Sequence, residues 1–331
     1  MIQTDKVLVL GSNSFSGASF VSFILGLGAE VVGVSRSPEP IAAMLPYKWR
    51  DHSRFRFHQL DLNRDLDAIM RVVDDFEPSI VVNFAAQSMV AESWQHPADW
   101  FQTNVVANVK LHDRLRRCKF LERYVHVSTP EVYGSCQGSV REDAPYNPTT
   151  PYAVSRAACD MSLTTFYKAY GFPVLFTRAA NVYGPGQQLY RIIPRTILFI
   201  RLGGKIQLHG GGISKRSFIH ISDVAEGTWR VACQGSPGEI YHLSTSQLVS
   251  IRELVERICL RLGADFSEHV ELVGERLGKD TAYILDSSKA RETLGWQDTI
   301  ELDDGIDETI SWVDRHLAEL RQQPFDYIHK K

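Results

Sequence analysis

The chain has 331 residues, 44% hydrophobic and 23% charged, with a formal net charge of −3, a globular composition with room for one large core or a domain and a smaller partner. So small a charge gives no electrostatic reason to expect nucleic acid or a membrane surface as partner, and no apolar run approaches spanning length. Five widely spaced cysteines, Cys118, Cys136, Cys159, Cys233 and Cys259, form no CxxC or Cys/His group that would suggest a metal, and they fit a reduced, cytoplasmic setting.

The N-terminus runs directly into a short apolar segment, without a basic region followed by a signal-length apolar stretch. Lys6–Leu10 is strand-like, Ala18–Leu27 helical and Glu30–Val34 strand-like again. Further strands are expected at Phe55–Leu60, Ile80–Phe84, Tyr124–Val127 and Val174–Thr177, with helical patterns between them. Alternation of helices with near-continuous apolar strands predicts an α/β fold with a doubly wound parallel sheet. Arg114–Arg117 reads as a solvated helix face. After about residue 180 the loops become rich in Gly, Pro and Gln, and His209 precedes three glycines as a structural turn. Residues 1–180 are therefore expected to form the sheet domain, with about 218–245 returning to it, and 181–331 a smaller α/β substrate-binding lobe. Gln322–Lys331 reads as a loosely held tail.

Strand one ends in Gly11-Ser-Asn-Ser-Phe-Ser-Gly17 and leads into a helix. A dinucleotide site needs a tight turn there, with backbone close to a pyrophosphate at the helix N-terminus. Gly11 and Gly17 fall where the first and third glycines of a Rossmann loop belong. Ser14 stands at the middle one, with a hydroxyl in reach of phosphate, and Asn13 and Phe15 complete the turn. The second strand ends in Ser35-Arg36-Ser37 with no acidic residue for the ribose hydroxyls, a pattern that suits a 2′-phosphate and so NADP over NAD. Asp61, followed by Leu62, reads either as an adenine partner or as a helix cap.

Ser128-Thr129-Pro130-Glu131-Val132-Tyr133-Gly134 closes a strand, and Tyr152-Ala-Val-Ser-Arg156 opens a helix. With the glycine loop, Asn83-Phe84-Ala85-Ala86-Gln87-Ser88, Thr103-Asn104-Val105, Arg178–Pro185, Arg216–Val224 and Leu294-Gly295-Trp296, these segments resemble the extended short-chain dehydrogenase/reductases. Within them the sequence is most similar to the nucleotide-sugar 4,6-dehydratases that act on dTDP-glucose and GDP-mannose. Tyrosine titrates near pH 10 and needs a nearby cation to serve as a base near neutrality; Tyr152 and Arg156, four residues apart, share a helix face. The resemblance implies Tyr152 as base, Thr129 orienting the reacting O4, and Glu131 removing the C5 proton. It also implies a cofactor shell that includes Phe84, Ala85, Ala86, Gln87, Asn104, Tyr152 and Arg156.

Two departures stand out. Pro130 occupies a position that is Asp in the dTDP-glucose enzymes and cannot donate a proton. Arg156 stands where the family has Lys; it keeps the positive charge, its fork is expected to reach ribose hydroxyls, and it does not relay protons.

Substrate contacts implied by the resemblance are Ser88, Asn181, Gln188, Arg191, Arg216 and Arg276, with Lys289 a lesser candidate; the arginines suit phosphate oxygens. The helical stretches Trp100–Lys119 and Tyr152–Tyr170 would pair two subunits as a homodimer. The expected partner is a nucleoside-diphosphate sugar. The rival readings are an epimerase or dehydrogenase of the same family, and a non-catalytic NADP or nucleotide-sugar binder.

Overall fold

The computed structural model describes residues 6–136, 138–274 and 284–330. Seven strands form the main sheet: β1 (Lys6–Leu10), β2 (Glu30–Ser35), β3 (Phe55–Gln59), β4 (Ile80–Asn83), β5 (Arg123–Val127), β6 (Val174–Ala179) and β7 (Ile240–Leu243). They lie in the order β7-β6-β5-β4-β1-β2-β3, every neighbouring pair parallel. The order reverses at β1, which has β2 on one side and β4 on the other. In such a sheet the crevice beyond the carboxyl ends of these strands is where ligands bind.

Parallel strands are covered on both faces, which is why the inner strands β1, β2 and β4 read as nearly continuous apolar runs. Side chains alternate, so Val7 and Val9 enter one core and Leu8 and Leu10 the other. The first core holds α1 (Phe15–Gly26); the second holds α2 (Leu66–Phe76), α3 (Asn108–Leu115) and α4 (Pro151–Tyr170). Thr150 caps α4 by accepting from Ala153 N, Pro151 occupies its first position, and Gly171 ends it with φ of 65°. These are the residue types that helix ends favour, and they fix where the Tyr152 turn begins.

A third core joins α5 (Ile192–Arg201), α7 (Ile251–Leu262) and α9 (Leu302–Leu320) through Ile193, Ile197, Leu254, Ile258, Ile306 and Val313. Between them in sequence, α6 (Ile221–Gln234) packs against α1 on the main sheet, and α8 (Ser288–Leu294) lies against β7. Buried Trp296 donates to Asp223 O at 2.9 Å, locking the segment after α8 onto α6. Lys289 is engaged at this sheet edge with Glu239 at 2.6 Å and Ile240 O at 2.8 Å, away from the crevice.

The C-terminal segment corrects the expectation of a loose tail. From Gln323 to Lys330 its residues alternate between half-buried and exposed, as an extended chain does when laid on a surface. Phe325 packs on the third core, and Arg195 Nη1 donates to Phe325 O at 2.6 Å. The His329 ring stacks on His96 at 4.8 Å and on Trp100 at 5.2 Å, and its Nε2 lies 2.7 Å from Asp99. No helix of the described residues is long and apolar enough to cross a membrane, and no disulfide joins the cysteines.

Four histidines are buried: His112, His126, His220 and His242. Desolvation holds the first two well below the ordinary histidine value, with neighbouring positive charge adding to it, and brings His220 to about 4 and His242 to about 3. A group neutral in the fold but protonated when unfolded makes stability rise with pH, so the loss sets in as pH falls below about 6.5. Each such histidine costs about 1.4 kcal/mol by pH 5.5. Burial raises Glu142 and Asp223, which act in the opposite sense as they protonate. Denaturant unfolding at pH 7.5 and pH 5.5 should show a net loss on acidification of up to about 6 kcal/mol, four histidines at about 1.4 kcal/mol each less what the two carboxylates return. Equal stabilities at the two values would mean that these histidines gain protons inside the fold.

Candidate active site

A cleft of about 480 Å³ opens at the reversal point of the sheet. Its walls include Gly11, Asn13, Ser14 and Phe15 after β1, Ser35, Arg36 and Ser37 after β2, Asp61 and Leu62 after β3, and Phe84, Ala85 and Ala86 after β4. Two glycines allow this geometry. Gly11 has φ of +79°, and a Cβ there would fall 2.7 Å from Ala85 N and 2.8 Å from Phe84 C; at Gly17 it would lie 2.2 Å from Gly11 O. No side chain is accommodated at either place, and the open floor that results suits the close approach of a phosphate.

Ser14 does something other than expected. Its hydroxyl donates to Gly11 O at 2.7 Å and accepts from Gly17 N at 3.0 Å, which makes it the N-cap of α1. The turn uses its hydrogen-bonding capacity, so it closes the loop instead of reaching for phosphate. Across the cleft, Asn13 N donates to Ser35 Oγ at 3.0 Å and Asn13 Nδ2 to Ser37 O at 3.0 Å, tying the β1 and β2 loops together. Asp61 Oδ1 accepts from Asn63 N at 2.8 Å, a turn contact, while the residue also lines the cleft. Asn104 is buried and acts as a clamp: its Oδ1 accepts from Gln87 N at 2.8 Å, and its Nδ2 donates to Gln87 O and Ser155 Oγ, each at 3.0 Å. It joins the β4 loop to α4 from a π-helical turn, Gln102–Ala107.

The second part of the site stands where β5 ends. Thr129 caps the short turn Pro130–Tyr133, accepting from Glu131 N at 3.4 Å. Thr129 and Tyr152 are buried and hydrogen-bonded to one another, with Glu131 in electrostatic range of the phenol. Burial pushes the Tyr152 hydroxyl up to about 12 and the Glu131 carboxylate adds to the rise; Arg156, the Thr129 hydrogen bond and Arg191 pull the other way. Arg156 is itself buried, and its Nη2 donates to Val127 O and, at 3.2 Å, to His126 Nε2. The expectation that its fork reaches ribose hydroxyls therefore gives way: the longer guanidinium arm inserts against β5 and acts on Tyr152 through its field.

A buried network lies under this turn. Arg178 donates to Asp160 Oδ2 at 2.8 Å and to the hydroxyls of Tyr133 and Tyr146, and Ser128 Oγ donates to Asp160 Oδ2 at 2.6 Å. Asp160 continues the face of Tyr152 and Arg156 one turn further along α4. That spacing was the available sign of it. His112, His126 and Cys159 also come together, their potential ligand atoms within 4.8 Å. With the Arg156 cation already on His126, the group is packed as neutral core.

At the substrate end, Gln188 is half-buried in the cleft wall. Arg191 is exposed beside Tyr190. Asn181 is exposed, its Nδ2 donating to Ser217 O at 3.2 Å, and partly exposed Arg216 donates to Lys215 O at 2.8 Å. Ser88 is exposed just after the Gln87 clamp. Arg276 lies outside the described residues. Missed in the sequence altogether was the far wall of the cleft, which includes Gln323, Pro324, Asp326, Tyr327, Ile328 and Lys330.

Comparison with known proteins agrees with this geometry. The family model described as GDP-mannose 4,6 dehydratase matches residues 8–309. A dTDP-glucose 4,6-dehydratase of Streptomyces griseus is 32% identical over 325 residues, 95% of this chain and 96% of that protein. The crystal structure of DesIV, the dTDP-glucose 4,6-dehydratase of Streptomyces venezuelae with NAD bound, superposes with a TM-score of 0.88 at 31% identity, covering 95% of this chain and 98% of that one. A UDP-glucose 4-epimerase of Thermotoga maritima shares the fold at 23% identity and a TM-score of 0.86, over 94% of this chain and 99% of its own. The chain belongs to the nucleotide-sugar 4,6-dehydratases of the extended short-chain dehydrogenase/reductase family.

Proposed function

We propose that the chain converts a nucleoside-diphosphate hexose to its 4-keto-6-deoxy derivative, with Tyr152, Thr129 and Glu131 as the reacting group. The observation that carries this reading is their convergence at the end of β5: a phenol hydrogen-bonded to Thr129, within the field of one carboxylate and one guanidinium. The floor that Gly11 and Gly17 leave open fits a dinucleotide, and a bound NAD(P) supplies a reversible store for one hydride. Arg36 between two serines, with no carboxylate at the end of β2, favours a 2′-phosphate and hence NADP; the DesIV relative carries NAD.

The residues divide the steps. Tyr152 takes the O4 proton as C4 is oxidised, and Thr129 holds O4 by a hydrogen bond. The C4 ketone acidifies the C5 proton, which Glu131 removes. Pro130 has no proton to give, so Glu131 returns the one it has just acquired to the departing C6 hydroxyl. Water leaves, the hydride is returned to C6, and C5 takes up a proton from solvent, delivered through Glu131.

Incubation with dTDP-, UDP-, GDP- and CDP-hexoses in deuterium oxide tests the reading. Loss of water with one solvent deuterium at C5, detected by mass spectrometry, is the expected result. An inverted C4 centre with no loss of water would instead make the chain an epimerase. Glu131→Gln should slow product formation by about 10²–10⁴-fold and abolish deuterium entry at C5, while C4 oxidation persists as trapped reduced cofactor. Normal dehydration by that variant would remove Glu131 from the mechanism. Arg156, turned to β5, favours a second reading, a binder without turnover; tight cofactor binding with every hexose unchanged would support it.

Exposed Phe101, Val106, Val154 and Met161 on the helical stretches 97–115 and 151–170 support a homodimer formed through that face. Sedimentation at micromolar concentration should give twice the chain mass.

A further inference from the structure

We propose that the C-terminal segment is a strap that closes over the bound dinucleotide, with the Lys330 ammonium as its phosphate-facing cation. The inference rests on the dinucleotide reading given above. The segment forms the wall of the cleft opposite the glycine loop, and its end reaches both banks. Gln87 Nε2, after β4, donates to Lys330 O at 2.6 Å, while Lys330 Nζ donates to Ser37 Oγ, after β2, at 3.1 Å. Since β1 lies between β2 and β4 in the sheet, Lys330 spans the crevice on the side where the Gly11–Gly17 turn offers its open floor.

Two observations favour a strap over a plug. A cleft of about 480 Å³ remains with the segment in place. Two anchors also lie outside the cleft walls: Phe325 sits on the third core, and His329 stacks on His96 and Trp100 with Asp99 at its Nε2, while on the wall itself the Tyr327 ring lies 5.6 Å from that of Tyr190. They can hold the strap while Lys330 exchanges Ser37 for a phosphate oxygen, a charged acceptor in place of a neutral one. A reaction that removes a hydride and returns it to the same sugar requires a cofactor that stays bound throughout. A cover tied down at three aromatic points provides that retention.

The test is cofactor release from the full chain, from a chain ending at Asp326, which retains Phe325 in the core, and from Lys330→Gln. Stopped-flow nicotinamide fluorescence with NADH and with NADPH gives the rates, and thermal melting checks the fold. Truncation should speed release about tenfold or more, and Lys330→Gln about threefold, the latter losing its dependence on salt. An effect of Lys330→Gln on NADPH alone locates the contact at the 2′-phosphate; equal effects on both cofactors locate it at the diphosphate. Unchanged release from the folded truncated chain overturns the proposal, as does slower release or tighter binding, which would mark the segment as a plug. Failure of every form to bind either cofactor would overturn the dinucleotide reading and the strap together.

Discussion

The variant Tyr152→Phe should turn over about a thousandfold more slowly than the parent chain while still binding cofactor. Phenylalanine keeps the ring that fills this buried position and removes only the hydroxyl that Thr129 engages. Burial and Glu131 push that hydroxyl up to about 12, so near neutrality only a small fraction is phenolate. The reacting form is the deprotonated one, and its fraction grows about tenfold per pH unit below the titration point. Turnover should therefore climb with pH across the neutral range, levelling off early only if the positive nicotinamide brings the phenol down. The Tyr152→Phe variant should lose that climb together with its rate. Retention of that climb in Tyr152→Phe would mean that another group takes the O4 proton.

The sheet was legible because its central strands, β1, β2 and β4, are buried on both faces and so read as nearly unbroken apolar runs, although edge strand β3 is partly exposed. The glycine loop was legible because its backbone conformation excludes every other residue at Gly11. Thr129, Glu131 and Tyr152 came as a set from the family resemblance; each sits at a boundary, the end of a strand or the first turn of a helix, and the fold brings them together. β7 was harder: Ile240-Tyr-His-Leu243 breaks its apolar run at His242 and so registers only as a return of the chain.

What local sequence could not carry was the destination of long polar side chains. Arg156 and Ser14 both occupy expected positions, yet Ser14 spends its hydrogen bonds on the backbone and Arg156 on Val127 O and the His126 ring. Asp160 pairs with Arg178 across 18 residues. The strap escaped notice for a different reason. Phe325, Tyr327 and His329 recur at a period of two, but exposed Ile328 between the last two breaks the polar alternation, in a stretch whose other residues suggest solvent. With no strand partner to complete the pattern, composition outweighed periodicity.

Arg178→Met should lower the unfolding free energy by about 3–5 kcal/mol, the largest stability effect expected of any single change in this network. Arg178 and Asp160 are both fully buried. Burial alone would favour loss of the Arg178 proton, but Asp160, Tyr146 and Tyr133 outweigh it and hold the guanidinium charged. Removing the cation leaves a carboxylate in the core with the Ser128 and Tyr146 hydroxyls on one oxygen and the buried His126 imidazole 3.5 Å from the other. A second change isolates that cause. Arg178→Met with Asp160→Leu removes both charges, so it should recover much of the loss, because a buried pair replaced by apolar groups costs far less than a pair that has been broken. Activity need not return with stability, since Asp160 also fixes Ser128 at the base of the turn that carries Thr129 and Glu131. A single variant costing under about 1 kcal/mol would show that water reaches Asp160, and the network would then not be what holds the catalytic turn in place.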